Sequence, residues 1–335
     1  MNKFKCGLVV IPMLLSFNAL ASRGEGGDDS YKERYTRLLN EVESAEASWN
    51  ITSNLFYEIE KFEGHVDVDG NSVTDKQTPV GQLFLSNPDS AWSYFLEYKV
   101  AMRNFTDGLE STENSFQRNR MQIGATRNIV KNENWTFNLN ATYRKESNDA
   151  APGQDARGAY NLYWLMPSGS IKITDKLAFS YWDAFYYYDN FVNENSTEWE
   201  AEHGLIYQVN ENITAKVYLY NDWTWDDSGE KTWEQNQIRG YFPSKINETW
   251  SVMPYFRYFL SEKIRDANYD VVNETDNGLR IGMNIFYNFT PKSTFWMGLA
   301  YESTDWTDAK GSGLTSGPDN TQKFYLGQIG WKYNW

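Results

Sequence analysis

From Trp49 to Trp335 the chain alternates apolar and polar residues with a period of two, the pattern of strands whose two faces meet different surroundings. In the first segment Trp49, Ile51, Leu55, Tyr57 and Ile59 alternate with Asn50, Thr52, Asn54, Glu58 and Glu60. In the fifth, Trp135, Phe137, Leu139, Ala141 and Tyr143 face one way and Thr136, Asn138, Asn140, Thr142 and Arg144 the other. Similar segments run over 78–86, 92–105, 117–129, 157–173, 177–189, 197–208, 213–225, 232–243, 249–261, 274–288, 294–304 and 321–335, which makes fourteen. One resists phasing: in 177–189, Asp183 falls on the same side as Leu177, Phe179 and Tyr181.

The links between segments alternate in length. Short ones rich in Asn, Asp, Pro or Lys lie at 87–90, 131–134, 174–176, 210–212, 245–248 and 290–293. Longer, acidic or Gly-rich ones lie between them, as at 63–77, 148–156, 226–231 and 307–320. Short periplasmic turns alternating with longer external loops are how outer-membrane barrels are wired, and an even strand count returns both ends to the same side. The expected fold is therefore all-β: a transmembrane, antiparallel, up-and-down barrel of about fourteen strands spanning 48–335. A soluble sandwich is the alternative. It would leave the terminal row Tyr325, Ile329, Trp331, Tyr333 and Trp335 as an open apolar edge, a problem that closure removes. Ending an alternating strand on an aromatic also resembles the signal read by the machinery that inserts bacterial outer-membrane barrels, which singles out Tyr333 and Trp335.

The first residues depart from this pattern. Lys3 and Lys5, an apolar run from Leu8 to Leu15, and Ala19-Leu20-Ala21 form a secretory signal over 1–21, too short to span a bilayer as a helix. Residues 22–47 form an extension in which Tyr35, Leu38, Leu39, Val42 and Ala45 recur at helical spacing. Such a periplasmic helix is a solvated extension, a segment that self-associates or tethers, or a plug for the lumen. The only cysteine, Cys6, belongs to the signal, so the mature chain has no thiol chemistry.

Composition agrees with a membrane barrel. Aromatic residues make up 17% of the chain, with 14 Trp and 23 Tyr, yet mean hydropathy is -0.66. A chain can be polar on average and still live in lipid if only alternate residues touch it. Removing Lys3 and Lys5 takes the formal charge from -14 to -16, which argues against a nucleic-acid partner. The expected partners are outer-membrane lipid and lipopolysaccharide, small hydrophilic solutes or oligosaccharides, and the insertion machinery.

The polar phase carries both signs of charge. Lys99, Arg103, Arg118, Arg120, Arg144, Arg239, Arg257 and Arg280 are basic; Glu58, Glu60, Glu97, Glu146, Glu198, Glu200, Glu202 and Glu302 are acidic. On the inner wall of a barrel, facing rows of opposite charge set a transverse field that orients water and solute. The same groups also pair across strands and satisfy one another. Phe56, Phe84, Phe95, Tyr218, Tyr220, Tyr255 and Trp296 share the inward phase and offer faces for sugar rings, although most aromatics belong to interfacial girdles. No catalytic residues, metal ligands or cofactor are expected. His65 and His203 have no histidine at zinc-ligand spacing. His203, phased outward, leaves a barrel hydrolase acting on lipid as one alternative, and a surface-binding barrel with a loop-covered pore as another.

Four stretches stand out: Tyr57-Glu58-Ile59-Glu60 with Glu63-Gly64, Gly204-Leu205-Ile206-Tyr207 with Asn210-Glu211, Ile238-Arg239-Gly240-Tyr241-Phe242-Pro243, and Ser251-Val252-Met253-Pro254-Tyr255-Phe256-Arg257. In these, and in their order, the chain resembles the OmpG family of monomeric enterobacterial porins. The resemblance spans roughly residues 49 to 335. It implies a fourteen-stranded, single-chain, relatively nonspecific channel for sugars and other small solutes, with Arg239 and Arg257 matching lumen arginines. The family's pH gate is associated with histidines near the external ends of late strands. This chain has none after His203, so histidine-driven closure does not carry over. The extension before Trp49 is also additional.

Overall fold

A computed structural model describes residues 49–64, 72–106, 116–149, 159–190, 194–265, 268, 270–308 and 321–335. The signal expected over 1–21, the extension over 22–47 and His65 lie outside these residues. The elements are β1 Asn50–Glu63, β2 Ser72–Ser86, β3 Trp92–Thr106, β4 Phe116–Lys131, β5 Trp135–Asp149, β6 Tyr160–Lys172, β7 Leu177–Asn190, β8 Ser196–Gln208, β9 Thr214–Asp226 and β10 Lys231–Tyr241. After the two-residue β11 Ser244–Lys245 come β12 Trp250–Arg265, β13 Val271–Thr290, β14 Ser293–Asp308 and β15 Thr321–Asn334. Each long strand pairs antiparallel with its sequence neighbours, and β11 only extends the foot of β10 beside β12. The first and last strands also pair, from Thr52↔Asn334 to Glu63↔Lys323, so fourteen long strands close into a barrel.

The short turns share one device. A side-chain oxygen at the turn's start accepts backbone N–H groups two or three residues on, fixing the reversal without glycine. Asn132 Oδ1 accepts from Asn134 and Trp135 at 3.0 and 2.9 Å, and Asn210 Oδ1 from Asn212 and Ile213 at 2.9 and 3.0 Å. Asn247 Oδ1 does the same for Thr249 and Trp250, and Thr174 Oγ1 for Lys176 and Leu177. Both ends of the barrel lie on this side, which is the periplasmic one.

Where expectation and structure differ, the difference lies at the external strand ends. The link expected over 63–77 is shorter, because β2 begins at Ser72; β12 runs on to Arg265, and β13 begins at Val271. These ends rise out of the lipid, so both faces are polar and the alternation that marks a strand fades.

One hydrogen-bonded row shows how the outer wall meets the bilayer. Ile51, Leu85, Tyr94, Ala125, Ala141, Leu165, Phe185, Trp199 and Trp223 are register partners on nine successive strands, all on the outer face. The row continues through Glu234, Lys263 and Glu274. With strands about 4.8 Å apart and tilted about 40°, each step climbs roughly 3 Å. The apolar part therefore rises about 25 Å, the height of the band expected of such barrels. Charge appears at the top of that climb. Glu234 bridges Lys231 at 2.8 Å and Arg265 at 2.9 Å, and Lys263 meets Glu274 at 2.9 Å.

Asp183 is the exception inside the band, and the structure explains its misfit in sequence. It stands on the outer face, one alternation below Phe185, near the middle of the hydrocarbon. There its carboxylate meets His203 Nε2 at 3.1 Å and accepts from Trp199 Nε1 at 3.1 Å, while the His203 ring stacks on Phe179. The two ionisable groups satisfy each other where lipid cannot. With Asp183 assigned outward, Trp182, Ala184 and Tyr186 fall inward, where they are buried. Losing one partner strands the other, whereas an apolar pair removes the problem. His203→Ala should therefore lower unfolding stability in lipid vesicles by about 2 kcal/mol. The double replacement Asp183→Val, His203→Leu should cost less than that single change, as a denaturant titration will read directly.

Candidate functional site

The inner wall carries nearly all the barrel's buried charge. Glu58, Glu60, Glu97, Arg118, Arg144, Glu200, Glu202, Arg239, Arg257 and Arg280 are all turned inward and buried, with Lys99, Arg120, Glu198 and Glu302 on the same face and partly covered. Arg103 pairs with Lys76 in the β2–β3 register; its side chain is not among those described. By the same row-by-row climb, these groups form a belt in the external half of the lumen. The periplasmic half is mostly neutral, with Thr52, Asn54, Gln82, Thr126, Asn138, Asn140, Ser168 and Ser180 buried on it.

The belt divides into four sectors. On β1–β3, Lys76 Nζ meets Glu60 at 2.5 Å, and a relay of donors runs from Trp296 Nε1 to Asn54, Asn54 to Gln82, and Gln82 to Glu97 at 3.0, 2.8 and 2.8 Å. Trp296 reaches into this relay over Gly330, where a Cβ would stand 2.5 Å from the indole. On β4–β6, Arg118 and Arg120 contact Glu146 at 2.7 and 2.6 Å, Arg144 approaches it at 4.0 Å, and Tyr160 donates to it at 2.6 Å. One carboxylate thus holds three guanidinium groups together, and the sector is basic.

On β7–β9 the balance reverses. Glu198, Glu200 and Asp222 bring their carboxylate oxygens within 4.8 Å of one another, with Glu202 below them. Tyrosine hydroxyls supply the donors: Tyr188 to Glu198 at 2.6 Å, Tyr186 to Glu200 at 2.8 Å, and Tyr220 between Glu200 and Asp222 at 2.9 and 2.8 Å. Trp182 Nε1 donates to Glu202 at 3.2 Å. Three clustered carboxylates are hard-cation ligands in type, but each already accepts from at least one tyrosine hydroxyl. On β10–β14 the row Arg239, Arg257, Arg280 and Glu302 runs across four strands. Arg239 bridges Glu202 at 2.9 Å and lies 3.1 Å over the Tyr220 ring, and Arg280 bridges Glu302 at 2.6 Å.

This arrangement corrects one expectation. Counted around fourteen strands, basic β4–β5 stands opposite basic β12–β13, and acidic β8–β9 opposite β1–β2, where Glu58 and Glu60 lie. Opposite signs are neighbours about a quarter-turn apart and do not face each other across the lumen. Pairing between adjacent strands favours this order, because it lets Arg239 reach Glu202 on the sector boundary. The field across the axis has alternating lobes in place of a single direction.

The inward aromatics Phe84, Phe95, Tyr218, Tyr220 and Trp296 are buried on the inner wall, with Phe56 and Tyr255 partly exposed there. The sequence reading missed Trp164, Trp182, Tyr186 and Tyr188, which join Phe84, Phe95 and Tyr220 in one aromatic cluster. It also missed Lys76, assigned to a loop, and Asp222, whose phase follows directly from Tyr218 and Tyr220. At the periplasmic rim Tyr333 stacks edge-on against Trp335, whose backbone N–H donates to Ile51 O at 2.9 Å.

Comparison with known proteins bears on this barrel directly. The family model for outer membrane protein G (OmpG) matches residues 46–333. Outer membrane porin G of Escherichia coli strain K12 is 24% identical over 297 residues, covering 85% of this chain and 91% of that protein. Among solved structures, the CymD monoaromatic hydrocarbon channel covers 94% of both chains with a TM-score of 0.52 at 9% identity, a likeness of fold alone. A closed, outward-apolar barrel with a charged inner belt, matched by the family model over almost its whole length, belongs to the OmpG family of outer-membrane porins.

Proposed function

We propose that small hydrophilic solutes, oligosaccharides among them, diffuse passively through the lumen past the four-sector charge belt. The observation that carries this reading is the one-sidedness of the charge: ionised groups crowd the inner wall while the outer wall is apolar over a bilayer's thickness. Fourteen strands tilted about 40° give a backbone radius of roughly 14 Å, wider than side chains from opposite walls can fill. Water entering that space screens the belt.

Alternating lobes of field orient polar molecules without a net pull toward either mouth, which suits passage more than capture. Along β6–β9 the aromatic cluster that holds Trp164 and Trp182 adjoins the acidic sector, where Trp182 donates to Glu202 and Tyr220 to Glu200. Flat apolar faces next to hydrogen-bond acceptors complement a sugar ring and its hydroxyls. The β1–β15 seam leaves no strand edge for a neighbour, which supports a single-chain channel. We assign residues 1–21 to a cleaved signal and the Tyr333–Trp335 rim to recognition by the insertion machinery. Lipid and lipopolysaccharide are the partners of the outer wall. His203 is held by Asp183 and stacks on the Phe179 ring, an arrangement that favours a structural pair over a lipid hydrolase built on this residue.

In a planar bilayer the purified protein should give steady open-channel current, interrupted by blockades that lengthen with the number of sugar units; a folded barrel that never conducts defeats the proposal. Trp182→Ala should shorten those blockades while leaving the open current intact. Glu146→Gln removes the carboxylate that three arginines share, so reversal potentials in a KCl gradient should move toward anion preference. The same change should cost about 3 kcal/mol in unfolding stability. Deleting Trp335 should slow assembly into membranes, measured as the fraction resisting denaturation in unheated detergent gels.

A further inference from the structure

The outer wall holds a feature that conduction does not use. Where the apolar row crosses Ala125 and Ala141, two successive strands carry small residues, and the wall is hollowed into an open groove of about 710 Å³. Tyr94, Ile123, Tyr143, Tyr163, Leu165 and Phe185 line it from the lipid-facing phase, and inward-phase Gly124, Thr142 and Trp164 complete the lining. Counting strands from Ile51 places its floor about 9–12 Å above the periplasmic edge of the apolar band, and Tyr143 and Tyr163 carry it toward the external edge.

Lys145 stands at the head of this groove. It lies two residues beyond Tyr143 on β5, exposed on the outer face between the inward-facing Arg144 and Glu146. Its register partners are Met121 on β4 and Asn161 on β6. The same counting puts it about 22 Å above the periplasmic edge, the level of the outer-leaflet headgroups. Asn161 accepts from the Tyr143 hydroxyl at 2.9 Å and donates to Asp189 at 3.1 Å, which directs that carboxylate to the β7 side of the site. Among the described residues, the charge open to a ligand from the β4–β5 side is therefore positive. Of the other outward cations near the external edge, Lys231 pairs with Glu234, Lys263 with Glu274, and Lys61 with Glu63 at 3.4 Å, while Lys323 faces Glu63 in the β1–β15 register. Lys145 has no carboxylate within bridging distance among the described residues.

We infer that the β3–β7 outer wall is a site for one outer-leaflet lipopolysaccharide, with an acyl chain in the Ala125–Ala141 groove and a headgroup phosphate on Lys145. The inference rests on the outer-wall partners assigned under Proposed function and names the residues through which the wall meets lipopolysaccharide. The acyl chain fills a hollow that phospholipid tails would fill equally well, so specificity comes from the phosphate. A cation near a membrane surface is worth about 1 kcal/mol toward an anionic headgroup, or roughly fivefold in occupancy.

Native mass spectrometry of the full-length protein in detergent tests this, using bisphosphorylated lipid A, its dephosphorylated form and a zwitterionic phospholipid as probes. The unsubstituted protein should retain the bisphosphorylated lipid about fivefold more than the dephosphorylated one. Lys145→Gln should abolish that preference without altering phospholipid retention, and Ala141→Phe should reduce retention of both lipid A forms by filling the groove. Equal retention of the two forms by the unsubstituted protein overturns the inference, as does a preference that survives Lys145→Gln or retention indifferent to Ala141→Phe. Single-channel current recorded on the same preparations separates this result from the porin reading: a conducting barrel without lipid preference refutes only the site. Should Ala141→Phe fail to assemble, Ala125→Leu fills the same floor with a smaller side chain, and unchanged lipid A retention by that variant refutes the site equally.

Discussion

Inside hydrocarbon a backbone amide has no solvent to bond, so the whole structure depends on the seam between β1 and β15. Fourteen strands laid side by side would still present two raw edges, each a row of unpaired N–H and C=O groups costing several kcal/mol apiece in lipid. The register from Thr52↔Asn334 to Glu63↔Lys323 removes both. Closure then fixes the tilt, the tilt fixes how fast each hydrogen-bonded row climbs, and the climb decides which residues meet lipid, headgroup or water. The Ile51-to-Trp223 row turns charged at Glu234 because at that strand it leaves the membrane.

The same constraint places the chemistry. Once alternate residues are committed to lipid, ionised side chains within the band go to the lumen, Asp183 with its His203 partner excepted. There they are sorted by neighbours on adjacent strands. Glu146 gathers three arginines, tyrosine hydroxyls occupy the carboxylates of β8 and β9, and Arg239 joins the acidic sector to the basic one beyond it. Local pairing thus builds the alternation of sectors around the ring. Both the solute path and the lipid-facing groove come from one periodicity read on its two sides.

Strand number, order and most strand boundaries were legible in the sequence, because a half-wet wall forces alternation. Legibility failed where that force weakens. Lys76 was lost to a supposed loop because the external ends of strands stand in water on both faces. Trp182, Tyr186 and Tyr188 went unassigned because Asp183 broke the outward phase. Its partners His203 and Trp199 sit on the next strand, a distance in sequence that alternation does not bridge. The direction of the transverse field was misread for a related reason: sign and phase follow from residue order, whereas which sector faces which follows only from closure.

The absence of cysteine after Cys6 allows a direct test of the central claim that one phase faces water and the other lipid. Single cysteines introduced in turn at 120 to 124 and 141 to 144, in protein reconstituted into vesicles, can be challenged with a small charged thiol reagent. Modification should alternate strictly: positions 120, 122, 124, 142 and 144 react and reduce the current, while 121, 123, 141 and 143 stay protected. Equal reactivity of the two phases, or reaction without effect on current, contradicts a water-filled lumen bounded by this wall.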